Sequence, residues 1–202
     1  MSTELAELDR YDRQIRAWGF ETQQKLHECR FLFSGVNHVS YECMKNLILA
    51  GASEVDITDS KESMEQNSSQ LEFLISLNPY CNVQLIPLET IVHSETQICN
   101  EELLSNYAFI CIFNNNEFLI NHMKATNKAI LIHDGVHGDL IHLQPDYHHL
   151  FQDNSYAPLE QTIIGSLLSQ MIVDHLPPLH SPMHYRLLFN SEQLSSSVQQ
   201  IV

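Results

Sequence analysis

A strand-like segment, a glycine turn, a helical pattern and a second strand follow one another between residues 31 and 59. The apolar run at residues 31–33 meets Ser34 and Gly35, which indicates a buried strand that ends in a tight turn. Apolar residues then recur at helical spacing over residues 39–50, and Gly51 stands where a left-handed helix cap is expected. Polar and apolar residues alternate over residues 54–59, so a second strand ends at an acidic residue. This unit predicts a strand-helix-strand crossover.

The same alternation continues along the rest of the chain. Further strands are predicted at residues 83–88, 107–113, 129–132 and 140–143, the last of these antiparallel, and at 184–189 as the final edge strand. Helices are predicted at residues 71–77 and 117–127 and from Pro158 to the prolines at 177 and 178. The pattern predicts an α/β fold with a doubly wound, mostly parallel sheet in a single domain, residues 1–190, followed by a polar C-terminal tail, residues 191–202.

The composition argues against several classes of function. Lysine and arginine number 10 and aspartate and glutamate 25 among 202 residues, which gives a formal net charge of −15. Such a surface repels nucleic-acid phosphates and anionic lipid. No apolar run approaches the roughly 20 residues that span a bilayer, and the acidic N-terminus does not resemble a signal peptide. Charge and hydropathy therefore predict a protein that binds neither nucleic acid nor membrane. Because the five cysteines are scattered and form no CxxC, we also expect an intracellular protein in a reducing compartment.

The first crossover has the outline of a nucleotide site but lacks its glycines. In nucleotide-binding folds, glycines let backbone N–H groups approach phosphate at a helix N-terminus, and an acidic residue after the second strand binds the ribose. Here Gly35 is the one glycine of the turn, Asp59 is the acidic residue, and no GxGxxG can be assembled from the six glycines. A scaffold that has lost its ligand is therefore favoured over a working site.

Positive charge is also missing where such chemistry needs it. Four of the five arginines lie within the first 30 residues, and Lys61, Lys124 and Lys128 are the lysines and arginines between residues 46 and 183. Adenylation of a carboxylate requires arginine, lysine and Mg²⁺ to neutralise the triphosphate and the leaving pyrophosphate. The polar segment after Asp59 contains no arginine. We therefore predict that the chain does not adenylate by itself.

Three other groups of residues are of types that can bind metal or act in catalysis. Histidines cluster late in the chain, at 133, 137, 142, 148 and 149, but no cysteine completes a metal-ligand pattern, so they are expected to titrate at the surface and no metal site is predicted. Cys43 and Cys111 are predicted to be buried small hydrophobes, and no cysteine stands out as a thioester nucleophile. Asp134 follows a strand, and a turn role is favoured there over a magnesium ligand.

Two sequence motifs resemble a known family. Tyr11-Asp12-Arg13-Gln14-Ile15-Arg16-Ala17-Trp18-Gly19 resembles the N-terminal signature of the activating enzymes for ubiquitin-like modifiers, the ThiF-type family with a Rossmann-like sheet. Asn46-Leu47-Ile48-Leu49-Ala50-Gly51 is also typical of them. The order of later segments is similar as well, including Leu77-Asn78-Pro79, the turn from His133 to Gly138, and Ile163-Ile164-Gly165. Within the family, the chain is most similar to the first subunit of the SUMO-activating heterodimer.

The resemblance implies a division of labour between two chains. The first subunit shares the fold of its partner but lacks the adenylating residues and the catalytic cysteine, so ATP and Mg would be held by the catalytic partner subunit, and the SUMO-like protein would be an indirect partner. By resemblance, Arg13 reaches across to the partner's nucleotide and the protein is nuclear; otherwise a cytoplasmic protein is expected. The degenerate nucleotide site that the crossover indicates at Gly35 and Asp59 fits this interpretation. An ion pair of Arg13 with Asp12 or Glu21 is the alternative for that arginine.

The sequence departs from the family pattern at one place, and two other functions remain as alternatives. Family members of this type usually carry an insertion between the late strands and the last helix, whereas residues 143–158 leave only a short connection here. The alternatives to a non-adenylating subunit are a stand-alone nucleotide-binding adenylyltransferase and a degenerate binding protein of the same fold.

Overall fold

A computed structural model describes residues 9–93, 98–123, 129–133, 137–142, 157–176, 184–190, 193 and 195–201. Asp134, His148, His149 and the connection at residues 143–156 lie outside the described residues. The helices are α1 Asp12–Trp18, α2 Phe20–Glu28, α3 His38–Ala50, α4 Lys61–Gln66, α5 Ser68–Ser76, α6 Leu88–Ile91, α7 Glu101–Ser105, α8 Glu117–Met123 and α9 Pro158–His175. The strands are β1 Arg30–Ser34, β2 Glu54–Thr58, β3 Asn82–Leu85, β4 Val92–His93, β5 Ile98–Cys99, β6 Phe109–Ile112, β7 Ala129–His133, β8 His137–His142, β9 His184–Asn190 and β10 Ser195–Ile201.

The main sheet has the order β10-β9-β8-β7-β6-β1-β2-β3. The strands β3, β2, β1, β6 and β7 are parallel, and β8, β9 and β10 add to them in antiparallel pairs. The chain winds from β1 outward to β3 and then returns across to β6, so the direction of winding changes beside β1. The predicted α/β fold with a mostly parallel sheet is confirmed, as is the antiparallel strand at residues 140–143, which begins earlier as β8.

Several boundaries differ from the prediction. The segment at residues 184–189 is not the final edge strand, because β10 lies in the predicted polar tail and pairs with β9 along its whole length. Backbone hydrogen bonds form this strand, and its side chains at residues 195–199 are exposed, so no apolar alternation marks it in the sequence. The polar stretch after Asp59 forms α4 and the start of α5, and β3 ends at Leu85 rather than at residue 88. The small β4-β5 pair was also missed.

Alternate side chains of the central strands enter two cores. Phe31 and Phe33 of β1 pack into a core on the face that is covered by α2, α3, α5 and α9. Leu32 between them packs into a second core on the other face, with residues of α6, α7 and α8. Burial of both faces explains why β1 and β6 are continuous apolar runs rather than alternating ones.

Helices α3 and α9 pack closely on the first face. A Cβ atom at Gly165 of α9 would lie 2.5 Å from the carbonyl oxygen of Val39 and 2.7 Å from Cβ of Glu42, both on α3. Glycine at this position therefore permits the close approach of the two helices. None of the helices formed by the described residues has the length and apolar character needed to cross a membrane.

Candidate functional site

A cleft of about 710 Å³ opens at the carboxyl ends of β2 and β6, the two neighbours of β1. Ligands of open α/β sheets bind at such an edge, where the winding direction changes. The cleft is lined by residues that follow β2 and β6 and by parts of α6, β4 and α8: Asp59, Ser60, Leu88, Glu89, Val92, Asn114, Asn115, Asn116, Glu117 and Phe118. This is where a nucleotide is expected if the chain binds one.

The Gly35 turn is filled by the neighbouring loop. Gly35 has φ +102°, and its N–H donates to the carbonyl oxygen of Thr58 at 2.9 Å. A Cβ atom at this position would lie 2.9 Å from Cβ of Asn114 and from the backbone that joins Phe113 to Asn114. The space beside Gly35 is thus occupied by the segment after β6, and a side chain here would overlap that segment. The fold itself therefore requires glycine at this position, with or without a ligand.

The carboxylate of Asp59 is occupied by donors of its own chain. Its Oδ2 accepts hydrogen bonds from the N–H of Val36 and the hydroxyl of Ser63, both at 2.7 Å. Its Oδ1 accepts from the N–H of Ser60 at 2.8 Å and from Nδ2 of Asn114 at 3.3 Å. A ribose would therefore compete with these donors for the same two oxygens. The acidic residue that the sequence singled out ties the Gly35 turn, α4 and the loop after β6 together.

The N-terminus of α3 is capped by side chains. Oδ1 of Asn37 accepts from the N–H of Ser40, and Oγ of Ser40 accepts from the N–H of Asn37, both at 2.9 Å. Nδ2 of Asn37 also donates to the carbonyl oxygen of Phe113 at 2.9 Å. Free N–H groups at a helix N-terminus are what bind phosphate in nucleotide folds. Here the capping box uses part of that donor set.

The charge of the cleft is negative. Among the residues that the structure describes, its lining contains the carboxylates of Asp59, Glu89 and Glu117 and no lysine or arginine. Lys61, the nearest cation in sequence, is almost fully exposed and lies 3.9 Å from Glu65 along α4. Because a triphosphate needs positive charge around it, the described lining residues do not fit a bare triphosphate.

Arg13 lies away from this cleft. It is an exposed residue of α1, which contacts the C-terminal end of α3, whereas Gly35 precedes the N-terminal end of α3. A helix of 13 residues is about 20 Å long, and this length separates the two places. Arg13 forms an ion pair with neither Asp12 nor Glu21. Instead, Asp12 pairs with Arg16 at 2.9 Å and Glu21 with Lys25 at 3.8 Å.

The motifs that carry the family resemblance meet at the C-terminal end of α3. Tyr11 is buried, and its hydroxyl accepts from Nδ2 of Asn78 at 2.8 Å. Gly51 has φ +112°, and a Cβ atom there would lie 3.1 Å from the Tyr11 ring and 2.5 Å from Nε2 of Gln23. Trp18 packs against the core, as predicted, and its Nε1 donates to Oε1 of Gln23 at 3.0 Å. The roles of Gln23 and Asn78 were not predicted from the sequence, although Asn78 belongs to the segment Leu77-Asn78-Pro79.

No thiol in the chain is activated. Cys43 and Cys111 are fully buried, as predicted, and burial raises the pKa of both. Burial also raises the pKa of Cys29 to about 11, with a further contribution from Glu28, and that of Cys81 to about 12. The pKa of Cys99 is raised by burial as well. A thioester nucleophile needs a lowered pKa, so none of the five thiols is suited to that role.

The predicted histidine cluster lies among residues 124–150, whose side chains are outside the described part of the protein. Among the residues that are described, no three histidine, cysteine, aspartate or glutamate side chains come together in a way that could hold a metal ion.

The chain is similar in sequence to first subunits of SUMO-activating enzymes. It is 27% identical over 129 residues to SUMO-activating enzyme subunit 1 of Dictyostelium discoideum, covering 58% of this chain and 38% of that one. It is 42% identical over 69 residues to the subunit 1 of Xenopus laevis, covering 34% of this chain and 20% of that one. The resemblance predicted from the N-terminal motif is therefore confirmed. The chain spans 38% and 20% of the length of these two relatives, and no protein-family model matches it.

Solved structures show the same fold. The selenomethionine structure of PaaA has a TM-score of 0.66 at 15% identity and covers 100% of this chain and 75% of that one. Escherichia coli MccB, crystallised with ATP, has a TM-score of 0.67 at 11% identity and covers 95% of this chain and 71% of that one. At these identities the likeness concerns the fold alone, and it confirms the predicted ThiF-type, Rossmann-like architecture.

Proposed function

We propose that this chain is the non-adenylating subunit of a heterodimeric activating enzyme for a SUMO-like modifier. In this proposal the catalytic subunit holds ATP and Mg and performs the chemistry, and the SUMO-like protein is bound to that partner. The observation that carries the proposal is the acidic cleft, in which Asp59 is satisfied by its own chain and none of the described lining residues is a lysine or arginine. Similarity to first subunits of SUMO-activating enzymes supplies the reaction and the class of partner.

Electrostatics favours this division over a stand-alone adenylyltransferase. Transfer of an adenylyl group releases pyrophosphate, and the charge that develops on it is stabilised by arginine, lysine and magnesium. Three carboxylates in the lining would instead repel the triphosphate. Since burial raises the pKa of all five cysteines, the thioester step also belongs to the partner.

Arg13 is the residue that this chain would contribute to the reaction. Its guanidinium is exposed and forms no ion pair with a described residue. Arginine presents several N–H donors in a planar fork that matches phosphate oxygens, so an exposed arginine can stabilise phosphate charge in a neighbouring subunit. Following the family resemblance, we place the assembled enzyme in the nucleus.

ATP–pyrophosphate exchange tests the proposal. The chain is co-expressed with candidate catalytic subunits of SUMO-activating enzymes, and exchange is measured for the isolated chain and for the purified complex. We expect exchange by the complex only, and a loss of up to about 10³-fold in Arg13→Ala. Arg13→Lys keeps the charge but not the fork and should fall between the two.

Arg10→Ala is the matched control, because Arg10 is an exposed arginine just before α1. It should leave exchange close to that of the unmodified complex. Exchange by the isolated chain would establish the stand-alone enzyme instead. Failure to form a stable complex with any candidate would favour a degenerate binding protein of the same fold.

A further inference from the structure

Helix α1 carries Arg13 but is not held by a buried face of its own. None of its seven residues, Asp12–Trp18, is buried. A helix this short is unstable in water unless tertiary contacts fix it. Trp18, its last residue, is partly buried and packs against the first core. The direction in which Arg13 points therefore depends on the residues that tie the two ends of α1 to the rest of the protein.

The N-terminal end of α1 is tied through Asn78. This side chain is 1% exposed, and its Nδ2 donates to the hydroxyl of Tyr11 at 2.8 Å and to the carbonyl oxygen of Ile48 at 2.7 Å. Its Oδ1 accepts from the N–H of Tyr80 at 3.2 Å. Both polar ends of the amide are therefore in use. Since Tyr11 is the residue before α1, Asn78 fixes the point at which this helix starts.

The C-terminal end of α1 is tied through Gln23. Its Oε1 accepts from Nε1 of Trp18 at 3.0 Å, and its Nε2 donates to the carbonyl oxygen of Ala50 at 2.8 Å. Ala50 and Ile48 belong to the last turn of α3, where carbonyl oxygens depend on partners outside the helix. The carbonyl oxygen of Ile48 also accepts from the N–H of Gly51 at 3.3 Å. The two amides thus join α1 to the same end of α3. Glycine at position 51 leaves room for Gln23 and for the Tyr11 ring, because a Cβ atom there would overlap Gln23 and contact the ring.

We propose that Asn78 and Gln23 are positioning residues for Arg13, and this inference rests on the proposed function. In this proposal they act through α1 and not by contact with nucleotide or substrate. By fixing both ends of α1 they hold the guanidinium where the partner's nucleotide requires it. A displacement of about 1 Å in a catalytic group costs up to about 10²-fold in rate. Loss of either amide is therefore felt in exchange activity through Arg13.

A double-mutant cycle in the complex with the catalytic subunit tests this. Tyr11→Phe removes only the hydroxyl that Asn78 binds, and Asn78→Ala and Gln23→Met remove each amide. We expect each to lower kcat of exchange by about tenfold while the affinity between the subunits is unchanged. In an Arg13→Ala background, the same substitutions should produce no further loss.

Tyr41→Phe on α3 is the control for Tyr11→Phe, and it should not change exchange. If Asn78→Ala does not fold, the milder Tyr11→Phe carries the test. Equal losses with and without Arg13 would overturn the inference, because the substitutions would then act by general damage. Unchanged exchange in all three variants, together with a loss in Arg13→Ala, would also overturn it while leaving the proposed function standing. Full exchange in Arg13→Ala would overturn both.

The tryptophan gives a second measurement that needs no partner. Trp18 is the one tryptophan of the chain, and it is bound directly to Gln23. Gln23→Met and Tyr11→Phe should shift its fluorescence emission to longer wavelength and raise its quenching by acrylamide in the isolated chain, and Tyr41→Phe should do neither. An unchanged emission and unchanged quenching would show that these residues do not fix α1.

Discussion

Replacement of Asp59 by asparagine separates a structural carboxylate from a ribose ligand. An amide has one acceptor oxygen where the carboxylate has two, so one side of the group must present N–H to donors. If the amide nitrogen takes the Oδ2 position, it faces the N–H of Val36; if it takes Oδ1, it faces the N–H of Ser60. In either orientation at least one backbone N–H loses its acceptor. The Ser63 hydroxyl can reverse its role and accept, so it contributes little to the loss.

A buried donor without a partner costs about 1–3 kcal/mol, and the partial exposure of Asp59 puts the expected loss at about 1–2 kcal/mol. In a chain of this size, 1 kcal/mol corresponds to about 2–4 °C in Tm, so Asp59→Asn should unfold about 2–8 °C below the unmodified protein. Differential scanning calorimetry measures this. The control is Asp174→Asn on α9, an exposed carboxylate that accepts from Gln170, and its Tm should change little.

The same experiment with Mg-ATP contains the refuting result. A ligand at 100 times its Kd stabilises a protein by about 2.7 kcal/mol, which is larger than the expected effect of the substitution. We expect no rise in Tm with Mg-ATP for either protein. A rise in the unmodified chain that disappears in Asp59→Asn would show that Asp59 binds nucleotide. A Tm for Asp59→Asn equal to that of Asp174→Asn would show that the four hydrogen bonds do not hold the turn.

Two further predictions concern stability. Gly51→Ala should lower the free energy of unfolding by about 2–5 kcal/mol in urea titrations, from left-handed backbone strain and overlap with Gln23. At Gly19, where φ is +90° and ψ is 157° and nothing lies within 4 Å of a Cβ atom, Gly19→Ala should show backbone strain of another region and no overlap. Alkaline pH should destabilise the protein, because a raised thiol pKa in the folded state means that the unfolded chain loses its proton first. Between about pH 9 and the raised pKa, each fully buried thiol should lower the free energy of unfolding by about 1.4 kcal/mol per pH unit. Cys43→Ala should reduce this slope, as measured by urea titrations at several pH values. A slope equal to that of the unmodified protein would show that the Cys43 thiol does not have a raised pKa.

The sheet could be predicted wherever burial leaves a pattern in the sequence. Strands β1 and β6 are buried on both faces and therefore appear as apolar runs, and α3 shows its buried face at helical spacing. Strand β10 shows no such pattern because its side chains at residues 195–199 are exposed and its seven residues are held by backbone pairing with β9. Backbone hydrogen bonds leave no trace in residue type, so this strand could not be predicted from its sequence.

The candidate site could also be predicted only in part. The positions of Gly35 and Asp59 at the ends of their strands followed from the crossover pattern. What these residues bind did not, because the donors to Asp59 come from three separate places: Val36 before α3, Ser60 and Ser63 at the start of α4, and Asn114 after β6. Only the folded sheet brings them to one carboxylate.

An acidic residue at this place in an α/β fold is therefore weak evidence for a nucleotide. The carboxylate of Asp59 has a structural role as a hydrogen-bond acceptor, because the donors it satisfies would otherwise be partly buried without partners. A site without cations has little affinity for ATP, but it still requires this acceptor. The informative sign in the sequence is thus the distribution of arginine and lysine: a nucleotide site needs them beside the acid, whereas a structural carboxylate does not.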